Sequence, residues 1–205
     1  MTVFHLLRHG DHGLLGRILP GRMPGVPLSE KGRAEIARVA SRLEGEAIEA
    51  IYASPLERTR ESALIVAERL KLPISYRDDI IELDYGEWTG KTFDEVRADP
   101  RWQLWRDQRG LARLPGGESM RTVQDRVVGA LIAIRALHET GNVLLVSHGD
   151  VIRAALLFAL GMPLDFYSRI EIAVASLSTI RIDPSGIRVL LMNERPRLHG
   201  SKQSG

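Results

Sequence analysis

Short apolar runs alternate with helical periods along the chain. Val3–Leu7 is apolar apart from His5 and reads as a strand. Residues 13–32, GLLGRILPGRMPGVPLSEKG, are rich in Gly and Pro and read as a long loop. A helix is predicted from near Ser29, with Ile36, Val39, Ala40 and Leu43 on one face. Ala50–Ala53 is a short strand. Behind it, Ser54, Pro55 and Glu57 have the order of a capping box with proline at the first helical position, and Leu56, Ala63, Leu64, Ala67 and Leu70 are spaced as a buried stripe. Ile74–Arg77 is a further strand, and Thr92 with Glu95 forms a second capping box. Asp99–Gly117 is less periodic and carries Trp102 and Trp105. A long helix follows PGGES (115–119), with Met120, Val123, Val127, Leu131, Ile134 and Leu137 inward. Val143–Val146 is apolar without interruption, as a strand buried on both faces would be. Val151–Leu160 reads as an apolar helix. Ser178–Ile182 and Ile187–Met192 read as a hairpin turning through Asp183–Gly186.

Strands alternating with helices predict an α/β fold with a mostly parallel sheet, the final hairpin adding an antiparallel edge. A chain of 205 residues is expected to form one domain over residues 1–194, followed by a flexible tail at 195–205. The sequence contains no cysteine, which excludes disulfides, thiolate catalysis and cysteine-ligated metal centres and fits a reducing compartment. No uncharged apolar run reaches membrane-spanning length, and the start reads as a strand rather than a basic leader, so a cytoplasmic protein without a membrane partner is expected. The net charge of +2 sits in the tail, where Arg195, Arg197 and Lys202 face Glu194. The rest of the chain is neutral, which argues against a nucleic-acid partner.

The chemistry concentrates just beyond predicted strands, where ligands bind in open α/β sheets. Arg8-His9-Gly10 follows the first strand, Arg58 lies in the first helical turns after the second, and Ser147-His148-Gly149 follows the late strand. If these strands are parallel neighbours, two histidines and two arginines converge at one edge. Helix N-termini there would add amides that favour an anion. Arginine offers a permanently charged fork matched to phosphate oxygens, and a neutral histidine offers a nucleophilic nitrogen. Gly10 and Gly149 would let the backbone approach a ligand and adopt positive φ. The combination reads as a histidine nucleophile in an arginine-lined phosphate site.

Five ordered motifs carry a resemblance over nearly the whole chain: LLRHG (6–10), Ser-x-Leu-x-Arg (54–58), ELDYGEWTG (82–90), PGGES (115–119) and VSHGDVIR (146–153). Together they resemble the histidine phosphatase superfamily, which includes the cofactor-dependent phosphoglycerate mutases. The resemblance implies a three-layer α/β/α, phosphoglycerate mutase-like fold. It implies His9 as the nucleophile that becomes phosphohistidine, Arg8, Arg58 and His148 as groups holding the phosphoryl, and Glu82 as proton donor and acceptor. Residue physics alone leaves Asp84 and Glu87 as competitors; the resemblance, through the E-x-x-x-G spacing from Glu82 to Gly86, favours Glu82. Substrate-binding residues are then Arg8, His9, Arg58, His148 and Gly149, with Arg22 as a further candidate. No metal or other cofactor is expected, since arginine and histidine supply the positive charge.

Departures from the pattern bear on the activity. Many members carry Glu-Thr after RHG and an Asn three positions after that Thr; here Asp11, His12 and Leu15 stand there. In the mutases that Asn belongs to the phosphate pocket, and the segment between Glu82 and His148 is also shorter than in the classical mutases. Both features favour a phosphatase, expected to be metal-independent and to act on a small phosphorylated metabolite. A phosphoglycerate-type mutase and a non-catalytic phosphate-binding module are the alternatives. Loop 11–28 and segment 91–117 are expected to cover the site, where Arg17, Arg22, Arg106, Arg109 and Arg113 could read a second anionic group or be solvated surface charge. Arg153 receives no role. Trp88 is expected to pack and fix Glu82, and Trp102 and Trp105 either pack or touch substrate. His5 is expected in the core and His138 and His199 at the surface. In a strand His5 and His9 would lie ~13 Å apart, too far to share zinc. The sequence leaves a homo-oligomer open.

Overall fold

A computed structural model describes residues 1–196 of the chain. The tail from residue 197 onward, with His199, lies outside the described residues. Six strands form one sheet: β1 (Thr2–Arg8), β2 (Ile48–Ala53), β3 (Ile74–Tyr76), β4 (Gly141–Ser147), β5 (Leu177–Asp183) and β6 (Gly186–Glu194), in the order β3-β2-β4-β1-β5-β6. The first four in that order run parallel; β5 pairs antiparallel with β1 and β6 antiparallel with β5, so only β5 runs against the rest and the final hairpin forms the expected antiparallel edge.

Strict alternation in the central strands splits the core into two layers. Phe4 and Leu6 of β1, with Val143 and Leu145 of β4, join one apolar cluster. Leu7, Leu144 and Val146 join the other. The first cluster is closed by helices α5 (Met120–Leu137) and α6 (Gly149–Ala159), the second by α1 (Glu30–Leu43) and α2 (Glu57–Leu70). The result is the three-layer α/β/α arrangement. Two short helices, α3 (Phe93–Ala98) and α4 (Arg101–Asp107), pack over the first layer.

Local signals explain most boundaries. Ser29 caps α1 by accepting from Gly32 N–H, Ser119 caps α5 by accepting from Thr122 N–H, and Thr92 with Glu95 forms the full capping box of α3. The box expected at Ser54 does not form. The backbone stays extended through Leu56, which is the N-cap of α2 without a side-chain bond. Ser54 N–H instead continues the sheet onto Val146 O at 3.0 Å. The inward stripe of α2 is also displaced: Leu64 is exposed, while Arg58, Thr59, Ser62 and Val66 are buried. Leu137 is exposed because it ends α5 beyond the sheet. His5 is buried as expected, whereas His138 is half-buried and bonded to the Tyr52 hydroxyl at 2.9 Å.

Parallel register sets the site. Arg8 pairs with Ser147 and Ala53 with Val146, so the carboxyl ends of β1, β2 and β4 finish side by side. The loop leaving β1 then passes within touching distance of the first turn of α1. A Cβ on Gly32 would lie 2.0 Å from Asp11 O, and one on Gly10 would lie 2.5 Å from Gly32 O. Gly10 and Gly149 do not adopt positive φ; Gly10 is required by this helix contact and Gly149 by the Arg8 guanidinium, 3.2 Å from where its Cβ would be. Gly129, exposed within α5, meets nothing within 4 Å. Gly32→Ala is therefore expected to cost about 3 kcal/mol, lowering the melting temperature by roughly 6–12 °C for a chain of this size. Gly129→Ala should raise it by about 2–4 °C through helix propensity. Thermal denaturation followed by circular dichroism checks both.

Candidate active site

His9 follows β1 and is 2 % exposed. Its backbone N–H donates to Ser147 O at 3.0 Å, extending the sheet by one bond. Its Nδ1 lies 2.8 Å from Gly10 O. A carbonyl can only accept, so Nδ1 carries the proton and Nε2 presents a lone pair. Burial, then the charges of Arg58 and Arg8, hold the His9 pKa well below its ordinary value. The ring is held neutral with its tautomer set and Nε2 bare.

Around it stand charged and polar donors without partners. Arg58 is 1 % exposed, and its Nη2 donates to Gly21 O at 2.7 Å. Arg8 Nη1 donates to Ile172 O at 2.6 Å. Arg8 Nε, Arg58 Nε and Nη1, and His148 Nδ1 are all buried with no hydrogen-bond partner among the described residues. His148 is fully buried at the N-cap of α6, with its ring 5.3 Å from that of His9. Its Nε2 lies 2.7 Å from Ser54 Oγ. With the hydroxyl donating there, the ring proton sits on Nδ1 and faces the site. Ser54 thus orients the second histidine instead of capping a helix. Burial, then Arg58, keeps His148 neutral by lowering its pKa well below the usual range. Uncompensated donors of this kind are costly to bury unless an anion meets them.

Glu82 faces the same centre. Oε1 accepts from Leu83 N–H at 2.9 Å, and Oε2 lies 3.8 Å from His148 Nδ1. Burial, then the negative charge of Asp150, raises its pKa to about 7, against the pull of Arg58 and the Leu83 amide. Asp84 and Glu87 do not compete. Asp84 Oδ1 accepts from Gly86 N–H to close a turn, and Glu87 pairs with Arg101; neither lines the cavity.

The segment carrying Glu82 is clamped. Arg22 Nε and Arg126 Nη2 both donate to Glu82 O, at 2.8 and 3.2 Å. Glu118 Oε2 accepts from Arg22, Arg126 and the Asp84 amide. Arg22, expected as a substrate contact, therefore braces this segment and does not line the cavity. Gly86, at φ +54°, packs where a Cβ would lie 2.2 Å from Pro115 O, so the ELDYGEWTG and PGGES motifs are two halves of one joint. Trp88 is fully buried behind it, its Nε1–H donating to Asp99 at 2.9 Å.

The cavity above His9 measures about 270 Å³. Leu15, Ile18, Leu19 and Pro20 of the long loop form one wall, and Phe93, Trp102, Trp105 and Arg109 form another. Loop and segment each contribute residues to the lining, and both tryptophans combine packing with a place in the wall. Gly149 lines the cavity beside Arg8. Of the five arginines expected here, Arg17 is exposed outside the cavity, Arg106 pairs with Asp107, and Arg113 donates to Gly117 O. Only Arg109 reaches it. Its guanidinium carbon lies 3.7 Å from the Tyr167 ring centre and 4.7 Å from that of Trp105, with no ion pair among the described residues. Arg153 stacks on Tyr167 at 4.0 Å and donates to Ile170 O and Asp150.

Sequence reasoning missed the supports: Ser54, Glu118, Arg126, and the cluster of Asp150 with Tyr85 and Tyr167. Glu118, Asp150 and Tyr85 sit inside quoted motifs, which was a usable signal. Arg126 had none, because it becomes adjacent to Glu82 only through the packing of α5. Among the described residues no cluster of three or more His, Asp or Glu has the arrangement of a metal site.

Comparison with known proteins agrees with this geometry. Phosphoserine phosphatase 1 of Hydrogenobacter thermophilus is 33% identical over 178 residues, covering 84% of each chain. A probable phosphoglycerate mutase, GpmB, of Salmonella choleraesuis is 31% identical over 185 residues, covering 88% of this chain and 85% of that one. The structure of YhfR from Bacillus stearothermophilus superposes with a TM-score of 0.88 at 32% identity, covering 93% and 96% of the two chains. The profile of the histidine phosphatase superfamily (branch 1) matches residues 4–195, and the chain belongs to that family.

Proposed function

We propose that this protein hydrolyses phosphate monoesters through a phosphohistidine formed at His9. The observation that carries the reading is the His9 Nδ1–H to Gly10 O bond, which leaves Nε2 unprotonated beside four unpartnered buried donors. In the first step Nε2 attacks phosphorus and the ester P–O bond breaks. The carboxyl proton of Glu82 goes to the departing alkoxide. In the second step water attacks the phosphohistidine, its proton passes to Glu82, and the P–N bond breaks to release phosphate. Arg8, Arg58 and His148 hold the phosphoryl oxygens throughout; positioning and charge stabilisation are most of what such a transfer requires. Similarity to phosphoserine phosphatase 1 supports water as the acceptor. Leu15, at the place of the mutases' Asn, puts an apolar side chain on the wall, which weakens the mutase alternative. The completeness of the reacting set speaks against a module that only binds.

Phosphate release from an aryl phosphate should survive EDTA and vanish in His9→Ala. The wild type should carry acid-labile, alkali-stable label absent from the variant. Label persisting in His9→Ala would refute the nucleophile.

Glu82 acts as an acid only while protonated. With a pKa near 7, kcat/KM for an alkyl phosphate should fall as pH rises through about 7. An aryl phosphate, whose leaving group scarcely needs the proton, should show a flatter limb. Glu82→Gln should lower kcat about 100-fold or more for the alkyl ester and much less for the aryl ester. Equal losses would remove Glu82 from the donor role.

The outer cavity suits an alcohol with a second anionic group. Stacking on Tyr167 and Trp105 fixes the Arg109 plane and leaves its N–H edge for a carboxylate or phosphate. Glycerol 3-phosphate and 3-phosphoglycerate differ only in a hydroxymethyl against a carboxylate. The wild type should prefer the carboxylate, and Arg109→Met should reduce that preference about tenfold or more, the worth of one hydrogen bond to a charged group. A preference unaltered in Arg109→Met would show that Arg109 does not read the substrate.

A further inference from the structure

One imidazole at the site takes no part in the steps above. His12 lies in the loop after β1, 9 % exposed, and lines the cavity with its ring centre 5.4 Å from that of His9. His148 stands at nearly the same separation from His9, 5.3 Å. The loop that carries His12 is fastened on both sides. Asp11 O accepts from Ser29 N–H at 2.8 Å, Asp11 N–H donates to Glu35 at 3.2 Å, and Gly13 N–H donates to Asp11 Oδ1 at 3.1 Å.

The tautomer of His12 follows from one bond. Leu14 N–H lies 3.2 Å from His12 Nδ1 and has no other acceptor among the described residues. An amide can only donate, so Nδ1 is a bare acceptor. Burial, then the charges of Arg58 and Arg8, lower the pKa to about 4, so the ring is neutral where phosphate esters are dianions. A neutral ring has one N–H, and here it must be on Nε2. Among the described residues no hydrogen bond runs from it to another residue. The tautomer is the reverse of that in His9, whose Nδ1 donates and whose Nε2 is bare. The two rings therefore present complementary Nε2 atoms, one a nucleophile and one a donor.

We infer that His12 is a catalytic residue whose Nε2–H donates to an oxygen of the phosphoryl group as it passes to and from His9 Nε2. This rests on the phosphatase reading. Many family members carry a threonine at this place, and the imidazole reaches further into the cavity than a hydroxyl. A lysine or arginine here would add a third cation against Arg8 and Arg58; the neutral ring adds a hydrogen bond without that repulsion.

Two substitutions separate this role from support of the loop. In His12→Asn, Oδ1 takes the place of Nδ1 and accepts from Leu14 N–H, while nothing reaches the place of Nε2. In His12→Gln, the side-chain amide reaches the place of Nε2 and keeps a donor there. The readouts are kcat/KM for an aryl phosphate, the dissociation constant of orthovanadate by calorimetry, and the melting temperature. His12→Asn should lose about tenfold in both kcat/KM and vanadate affinity, as expected for one hydrogen bond to a charged group, and should melt as the wild type does. His12→Gln should retain both within about threefold. Equal values for Asn and Gln, whether both intact or both impaired, would overturn the inference, as would losses that follow the melting temperature. Vanadate binding needs no turnover, so a wild type that hydrolyses no ester would count against the phosphatase reading separately.

Discussion

The buried guanidinium of Arg58 is the constraint on which the site depends. Taking such a charge out of water costs several kcal/mol unless it is paired, and here Nε and Nη1 have no partner among the described residues. The fold holds it there regardless. Arg58 sits in the first turn of α2, anchored by one bond to Gly21 O, with Glu82 the largest opposing influence on its charge. The same charge keeps His9, His12 and His148 neutral, in each case as the leading influence after burial. One cation thus keeps three imidazoles neutral and supplies a field that a dianion would neutralise. Binding of the ligand would relieve a cost already incurred in folding, so the site is preorganised for charge rather than reshaped by it.

Holding that cation in place requires rigid surroundings, and the glycines show how it is done. Gly10 and Gly32 let the β1 loop lie directly on α1, and Gly86 and Gly117 let the Glu82 segment lie directly on residues 115–117. Each contact brings backbone to backbone, with no side chain between to yield. The two loops bearing His9 and Glu82 are therefore locked to the scaffold. Arg22, Arg126 and Glu118 add polar bonds to the second lock.

Much of this was legible in the sequence because the strands and helices have clean periods and the reacting residues fall just after strands. Arg8, His9, Arg58, His148 and Glu82 meet where parallel strand ends predict. What the sequence hid was the use of side chains that satisfy a local rule and a distant one equally well. Ser54 has the spacing of a helix cap, yet the chain stays extended to keep a sheet bond with Val146, and the freed hydroxyl goes to His148. Arg22 sits in a Pro/Gly-rich loop whose path no periodicity defines, so a cation there could face substrate or backbone; it faces Glu82 O and Glu118. Leu64 fits the spacing of its stripe but the buried face of α2 runs through Arg58, Thr59, Ser62 and Val66 instead, and Leu137 is exposed as the last residue of α5. Those outcomes are decided by tertiary geometry, which a period cannot carry.

Two carboxyl groups share the site and differ in role because their surroundings differ. Asp150, in the first turn of α6, is also buried, which alone would push its pKa up; Arg153, Arg109 and the hydroxyls of Tyr167 and Tyr85 outweigh that and pull it down. It stays ionised. Glu82 is buried, feels the Asp150 charge and has one amide donor on its carboxylate among the described residues, so its proton is retained up to about neutrality. The tyrosines that ionise Asp150 thereby help to keep Glu82 protonated, and the arginines stacked on Tyr167 are part of the same chain of influence. Because Arg109 also lines the outer cavity, an anion bound there would offset its charge, weaken its hold on Asp150 and act, two contacts removed, on the protonation of Glu82.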